Sequence, residues 1–245
     1  MDDGPLAGRV ALVTGSASGL GRGLALALAD WGADVAIHYH TSAEAAAATA
    51  VEAREHGVRA TAVQADVTDP ESVDDVFDEV ETALGSVDVL VNNVGDFAPQ
   101  HWAEIDLDTW NRVLATNLTG TMLCSRRALS GMREREWGRI VNVGYASSDR
   151  ALVGATNFPY FVAKTGVLMF TRMLAGDTQD DGITVNAVSP YVLDTSDEFP
   201  DDAPRGRWGS VEDVANALRF FCRPENDYVS GENIEIDGGW LPEEI

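Results

Sequence analysis

Short apolar runs alternate with amphipathic stretches along this chain, and that alternation restricts the fold more than any other feature. Residues 9–14, 34–39, 60–65, 87–92, 139–143, 184–189 and 233–236 have the length and apolar content of buried strands. Between them the pattern turns helical. One helix opens at Gly19 with Leu20, Leu24 and Leu28 on one face. Another opens at Thr68-Asp69-Pro70-Glu71, with proline in the first turn. A late one opens at Ser210, with Asp213 at capping-box spacing. Strands alternating with helices predict an α/β fold: a parallel sheet of about seven strands with helices on both faces. No repeat, linker or break in composition interrupts residues 1–245, so one domain is expected.

The first strand runs into Thr14-Gly15-Ser16-Ala17-Ser18-Gly19-Leu20-Gly21, and a helix follows. Glycines there let backbone amides approach a pyrophosphate, whose charge the helix N-terminus favours. Such a turn is weak evidence alone, because any tight strand-to-helix connection also needs glycine. Its place after the first strand of a βαβ series strengthens the reading. A second signal is Lys164. The chain holds seventeen Lys and Arg residues, and Lys164 is its one lysine. A position that keeps lysine where all others are arginine points to a need for a compact ammonium. On a helix Tyr160 stands one turn before Lys164, on the same face. A nearby ammonium is expected to bring the phenol's pKa down.

The spacing Thr-Gly-x-x-x-Gly-x-Gly resembles the short-chain dehydrogenase/reductase family, and further motifs follow in that family's order. Asp66-Val67 resembles its adenine-binding pair. Asn92-Asn93-Val94-Gly95 resembles its Asn-Asn-Ala-Gly, and Asn117 matches its helix asparagine. Tyr160-x-x-x-Lys164 matches its catalytic pair. Val185-Asn186-Ala187-Val188-Ser189-Pro190 and Ile236-Asp237-Gly238-Gly239 match its later segments. The resemblance covers almost the whole chain and implies a Rossmann-type, doubly wound sheet. It implies a hydride exchanged between nicotinamide and a carbonyl carbon, with Tyr160 giving or taking the proton. Lys164 would also hold the nicotinamide ribose, and Asn117 a water leading to solvent. The implied dinucleotide contacts are Gly15, Ser16, Ser18, Gly19, Leu20, Gly21, Thr41, Ser42, Asp66, Val67, Asn93, Gly95, Tyr160, Lys164, Pro190 and Val192. The 3-oxoacyl-[acyl-carrier-protein] reductase branch is the nearest in pattern. It implies reduction of an acyl-thioester substrate. A sugar, polyol or other secondary-alcohol dehydrogenase is the alternative, and a weakly catalytic cofactor-binding regulatory subunit a second one.

NADP(H) is preferred and NAD(H) is the alternative. The second strand ends in His38-Tyr39-His40-Thr41-Ser42, with no carboxylate before Glu44 to hold a ribose 2′-hydroxyl. Small hydroxyls and imidazoles accept a 2′-phosphate instead. Ser18 stands where many NADPH-dependent relatives place arginine, and Arg22 is expected on the helix exterior. The family's serine, which hydrogen-bonds the substrate carbonyl, is harder to place. Counting forward from the strand at Gly138 gives Tyr145; counting back from Tyr160 gives Ser147. The loop carries two extra residues. Ser147 is taken as the catalytic serine because a small hydroxyl leaves room for substrate, with Tyr145 and then Ser148 behind it. Tyr191 replaces the family's usual glycine, as either a pocket wall or a packing residue. The short, Asp- and Pro-rich stretch from Pro190 to Trp208 reads as a loop.

Forty acidic residues give a formal net charge of −23, which repels phosphate backbones and anionic lipid. Nucleic-acid and membrane partners are therefore not expected, and no apolar run is long enough to span a bilayer. The acidic groups at Asp74-Asp75, Glu79 and Glu81, and at Asp197-Glu198 and Asp201-Asp202, read as solvated surface; no metal site is expected. Two cysteines and an opening segment unlike a signal peptide lead to the expectation of a cytoplasmic protein. A homotetramer is expected through helices near 108–135 and 160–179, where Leu168, Met169 and Phe170 exceed one buried stripe. The dense carboxylate shell suits a salty cytoplasm, and its self-repulsion is screened as ionic strength rises. Thermal melts should therefore show a melting temperature that climbs from low to molar potassium chloride. A melting temperature indifferent to salt contradicts this reading.

Overall fold

The computed structural model describes residues 4–150, 154–196, 199–200 and 202–240. Its strands are β1 (Val10–Val13), β2 (Asp34–Tyr39), β3 (Ala60–Gln64), β4 (Val89–Asn92), β5 (Gly138–Val143), β6 (Ile183–Pro190) and β7 (Asn233–Ile236). They form a parallel sheet in the order β3-β2-β1-β4-β5-β6-β7. The expected doubly wound architecture is present. Strand ends differ from the sequence reading by one or two residues, since apolar patterning does not mark where ladder pairing stops.

Every residue of β1, β4, β5 and β6 is buried, as expected for parallel strands covered on both faces. Their side chains divide by the period of two. Val89, Val91, Val141 and Val143 enter one core, with Leu24 and Leu28 of α1 (Gly19–Asp30), Ala46 and Ala50 of α2 (Ala43–Arg54), and Leu218 and Phe221 of α7 (Val211–Cys222). Leu90, Ile140 and Val185 enter the other. Against them pack Phe77 of α3 (Pro70–Ala83), Leu123 and Met132 of α5 (Gly120–Glu134), and Leu174 of α6 (Phe158–Asp177). The caps fall where the sequence put them. The Asp69 side chain accepts from the Glu71 amide, and Ser210 and Asp213 complete a capping box.

Helix α4 (Leu107–Leu114) runs into α5 through one π turn at Ala115–Thr119. Such a wide turn often marks a functional site, and this one carries Asn117. Between sheet and helices runs a buried polar chain. Asn92 Nδ2 donates to Ser125 Oγ (3.0 Å) and Asn142 Oδ1 (2.8 Å), and Asn142 Nδ2 donates to Thr171 Oγ1 (2.8 Å). It ties α5, β4, β5 and α6 at one level and fixes α6 against the sheet.

The surface departs from expectation in two places. Asp74, Asp78 and Glu81 are not merely solvated; they gather around Arg127 of α5 at 3.6, 2.6 and 3.4 Å. Of the apolar residues at 168–170, Leu168 is buried and Phe170 packs half-buried against the core. Met169 is exposed, and Val162 and Met173 lie outside with it. Asp197, Glu198 and Asp201 fall outside the described residues; Asp202 is exposed.

Candidate active site

The strand order reverses between β1 and β4, where connections leave in opposite directions and open a crevice at the carboxyl ends. Gly15 and Gly19 on its rim hold left-handed backbone, φ +65° and +55°. A Cβ on Gly21 would lie 2.3 Å from the Gly15 carbonyl oxygen, so only glycine lets α1 start this close to the turn. Helix α1 begins with no side-chain cap from Ser18 and no acidic residue in its first turn. Its leading amides therefore present unneutralised positive ends, as a pyrophosphate requires. Ser18 and Gly19 are exposed there, and Leu20 half-buried.

Ser16 differs from expectation. It is fully buried; its hydroxyl donates to the Val13 carbonyl (2.7 Å) and accepts from the His38 amide (2.9 Å), while its own amide donates to the His38 carbonyl (2.9 Å). Those groups hold the turn and do not face the crevice. Asn93 acts similarly. Its amide donates to Thr14 Oγ1 (2.9 Å), and its side chain to the carbonyls of Thr14 (2.9 Å) and Gly15 (3.2 Å). The loop after β4 is thereby tied to the turn after β1.

His38 also differs from the reading that gave its imidazole to a 2′-phosphate. It is buried, with Nδ1 accepting from the Gly15 amide (2.9 Å) and Nε2 facing the Ala65 carbonyl (3.2 Å). This pairing requires the neutral ring with its proton on Nε2. Burial pushes its pKa down to about 4, against the pull of the Ala65 carbonyl. His38 thus bridges the glycine turn and the end of β3, a role its sequence position did not reveal. At the outer end of β2, His40, Thr41 and Ser42 are exposed, and Ser42 leads α2 without a side-chain cap bond. Arg22 pairs with Glu52 of α2. Asp66 forms a tight turn, accepting from the Thr68 amide (2.9 Å) and hydroxyl (2.7 Å). Partial burial works to raise its carboxyl, but those Thr68 bonds hold it below the usual range. Val67 is buried beside Gly120.

Tyr160 and Lys164 lie on the buried face of α6. The helix start is set by Asn157, in left-handed backbone, whose side-chain oxygen accepts from the Ala98 amide (2.8 Å). Lys164 Nζ donates to the Val143 carbonyl at the end of β5 (2.7 Å), and burial pushes its pKa down to about 8. The Tyr160 phenol shifts the other way. Burial, then the neighbouring Tyr145, raise it well above the usual value of 10. Burial therefore works against the lowering expected from the Lys164 ammonium.

Asn117 is fully buried, and its Nδ2 donates to the carbonyls of Asp96 and Val113, each at 2.9 Å. Its Oδ1 is buried without a partner. A Cβ on Gly95 would stand 3.1 Å from that oxygen and 3.8 Å from Lys164 Nζ, so Gly95 leaves room beside both polar atoms. The exposed α1 N-terminus and the unpartnered Asn117 Oδ1 beside Lys164 are polar groups of the kind that the two ends of a dinucleotide require.

Aromatic rings surround the Tyr160 phenol. Phe97 lies 4.6 Å from Tyr160 between centroids, Tyr145 meets it edge-on at 5.7 Å, and Phe161 stands at 5.9 Å. Tyr191 stacks on Trp240 at 4.1 Å and also comes within 6.3 Å of Tyr145, so it packs and walls the cleft at once. Neither Phe97 nor Trp240 stood out in the sequence. Both lie outside the recognisable motifs, and only folding brings them to Tyr160 and Tyr191. Pro190 ends β6 and its carbonyl accepts from the Ala146 amide (3.1 Å). Val192 borders a cavity of about 460 Å³ with Tyr191, Trp208 and Glu235. Ser147 is buried at 1% exposure in left-handed backbone, its amide donating to Glu235 Oε1 of β7 (2.6 Å). The structure does not present it at the cleft surface, and Ser148 is buried too.

A family model described as enoyl-(acyl carrier protein) reductase matches residues 15–241. The chain is 37% identical to the 3-oxoacyl-[acyl-carrier-protein] reductase of Aquifex aeolicus, over 96% of this chain and 98% of that one. Among solved structures it is similar to a putative short-chain alcohol dehydrogenase from Sinorhizobium meliloti, with a TM-score of 0.91 at 34% identity, covering 96% and 97% of the two chains. It is also similar to a gluconate 5-dehydrogenase from Burkholderia cenocepacia in complex with NADP and tartrate. There the TM-score is 0.89 at 31% identity, covering 98% and 97%.

The bridge through His38 generates a pH prediction. Its pKa falls from the ordinary 6.5 to about 4 in the fold, so between those values the unfolded chain binds more protons than the folded one. The stability contributed by neutral His38 is complete above 6.5 and is lost as pH falls towards 4, by on the order of 3 kcal/mol at most. In His38→Asn a side-chain oxygen can still accept from Gly15, and nothing titrates. Its melting temperature should drop less between pH 6.5 and 4 than that of the parent chain. Parallel drops refute the assignment.

Proposed function

This chain belongs to the short-chain dehydrogenase/reductase family, and we propose that within it the protein works as an NADP(H)-dependent reductase of 3-oxoacyl thioesters. The observation that carries the reaction is Tyr160, buried and one turn from Lys164 on the same face of α6. Bound nicotinamide supplies the hydride for the carbonyl carbon. Tyr160 gives its proton to the carbonyl oxygen. Lys164, held by the Val143 carbonyl, keeps an ammonium close to the phenolate that results. Asn117 Oδ1, beside Gly95 and Lys164, is placed to accept from a group that restores the proton.

Glycines 15, 19 and 21 with Ser18 and Leu20 cradle the pyrophosphate in this reading, Asp66 and Val67 border the adenine, and Pro190 and Val192 flank the nicotinamide. Ser16, Asn93 and His38 hold the cradle's shape. Preference for NADP(H) rests on the exposed hydroxyls of Thr41 and Ser42 at the α2 N-terminus, with no carboxylate before Glu44. The similar Burkholderia gluconate 5-dehydrogenase is in complex with NADP.

The thioester substrate is supported by the name of the Aquifex relative and by the aromatic wall of Phe97, Tyr145 and Phe161, which suits an apolar chain. The second reading is a sugar or polyol dehydrogenase, favoured by the gluconate 5-dehydrogenase neighbour. A homotetramer is supported by the exposed Val162, Met169 and Met173 on α6. A reducing cytoplasm is supported by two free, buried cysteines.

The test is NADPH oxidation with acetoacetyl thioesters and keto-sugars side by side. Faster turnover of keto-sugars overturns the thioester assignment, and binding of NADPH without turnover of any carbonyl compound favours a regulatory subunit. NADPH should bind more tightly than NADH in fluorescence titrations; equal or reversed affinities refute the cofactor preference. Lys164→Arg should lower kcat by about a hundredfold or more although charge is kept, because guanidinium cannot take the compact position on the Val143 carbonyl. Near-normal kcat in that variant removes Lys164 from the mechanism.

A further inference from the structure

We infer that Tyr145 is a further catalytic residue: its phenol is the second hydrogen-bond donor to the substrate's carbonyl oxygen, beside Tyr160. The inference rests on the carbonyl-reduction reading above. As the carbon of a carbonyl is reduced, negative charge gathers on its oxygen. One donor, Tyr160, transfers its proton there. A second that stays protonated orients the oxygen and stabilises the charge.

Register fixes where Tyr145 stands. Pairing of β5 with β6 continues beyond Val143, through Gly144 N to the Val188 carbonyl (2.8 Å) and Ala146 N to the Pro190 carbonyl (3.1 Å). Tyr145 lies between those two bonds, so it cannot slide along the sheet. Its ring is held by Tyr160 edge-on at 5.7 Å (72° between planes), by Phe161 at 5.5 Å and by Tyr191 at 6.3 Å. A side chain braced on three sides keeps its hydroxyl in place with little loss of entropy on binding.

Accessibility separates the three hydroxyl candidates. Ser147 and Ser148 are 1% and 3% exposed, and Ser148 Oγ is buried without a partner. Tyr145 is half-buried. The loop that follows is fastened to β7. Glu235 of β7 accepts from the Ser147 amide through Oε1 (2.6 Å) and from Arg150 through Oε2 (2.7 Å). Ser147 itself stands in left-handed backbone. Burial, then Tyr191, push the Tyr145 phenol up to about 12, which keeps it a donor throughout the working range.

The experiment compares the kcat of NADPH-dependent carbonyl reduction in Tyr145→Phe, Tyr145→Ser, Ser147→Ala and Tyr160→Phe. The NADPH dissociation constant, measured by fluorescence, serves as the readout independent of turnover. Loss of one such donor lowers kcat by about 10²- to 10³-fold. Tyr145→Phe should show that loss with NADPH affinity unchanged, because the ring and its packing remain. Tyr145→Ser, which restores a small hydroxyl, should recover part of it, and Ser147→Ala should lose much less. Wild-type kcat in Tyr145→Phe overturns the inference, as does a loss in Ser147→Ala as large as that in Tyr145→Phe. Weakened NADPH binding in Tyr145→Phe overturns it as well, since the residue would then act through the cofactor site. Tyr160→Phe separates the two readings. If it retains turnover, the reductase mechanism itself fails; if it is inactive while Tyr145→Phe is normal, only the role of Tyr145 fails.

Discussion

Thr14 Oγ1 accepts from the amides of Asn93 (2.9 Å) and Val94 (3.1 Å), and this junction joins the carboxyl ends of β1 and β4 where the sheet's winding reverses. The rest of the site depends on it. One side of the junction is the glycine turn that starts α1; the other leads through Gly95 and Asp96 to Asn117 and the rings over Tyr160. His38 and Ser16 extend the same fastening to β2 and, through the Ala65 carbonyl, to the end of β3. Adjacent strand ends are thereby held at one level, so amides and side chains distant in sequence face a single crevice.

Burial then decides the chemistry of the groups placed there. Removing Tyr160 and Lys164 from water pushes the phenol up and the ammonium down, so each is biased towards its neutral form. A single carbonyl contact from Val143 orients the lysine, and Asn117 is oriented by two. The π turn at Ala115–Thr119 sets Asn117 within reach of the Asp96 carbonyl as well as that of Val113 in its own helix. The backbone around the site therefore supplies much of the orientation usually credited to side chains.

The loop after β5 is tied to two neighbouring strands. Glu235 and Arg150 draw its far end to β7, while ladder bonds to Val188 and Pro190 keep its near end in register. On the same edge of the sheet, the Tyr191–Trp240 stack fills space next to the cleft that a glycine at position 191 would leave open.

The sequence by itself determined the sheet, the order of its helices, the caps at Asp69 and Ser210, and the helix carrying Tyr160 and Lys164. These follow from local periodicity and from turn residues whose backbone requirements act over a few positions. Tertiary structure decided what depends on partners far along the chain. It turned Ser16 and His38 inward, because each bonds strand ends that the sequence does not place together. It put Leu168 in the core while leaving Met169 outside. It also set burial against the lysine's charge at Tyr160, since burial belongs to the packed site and not to an i, i+4 pair. Counting residues gave two registers for the hydroxyl beside Tyr160, because only folding shows that the ladder continues beyond Val143 and that the Ser147 amide meets the carboxylate of Glu235, 88 positions later.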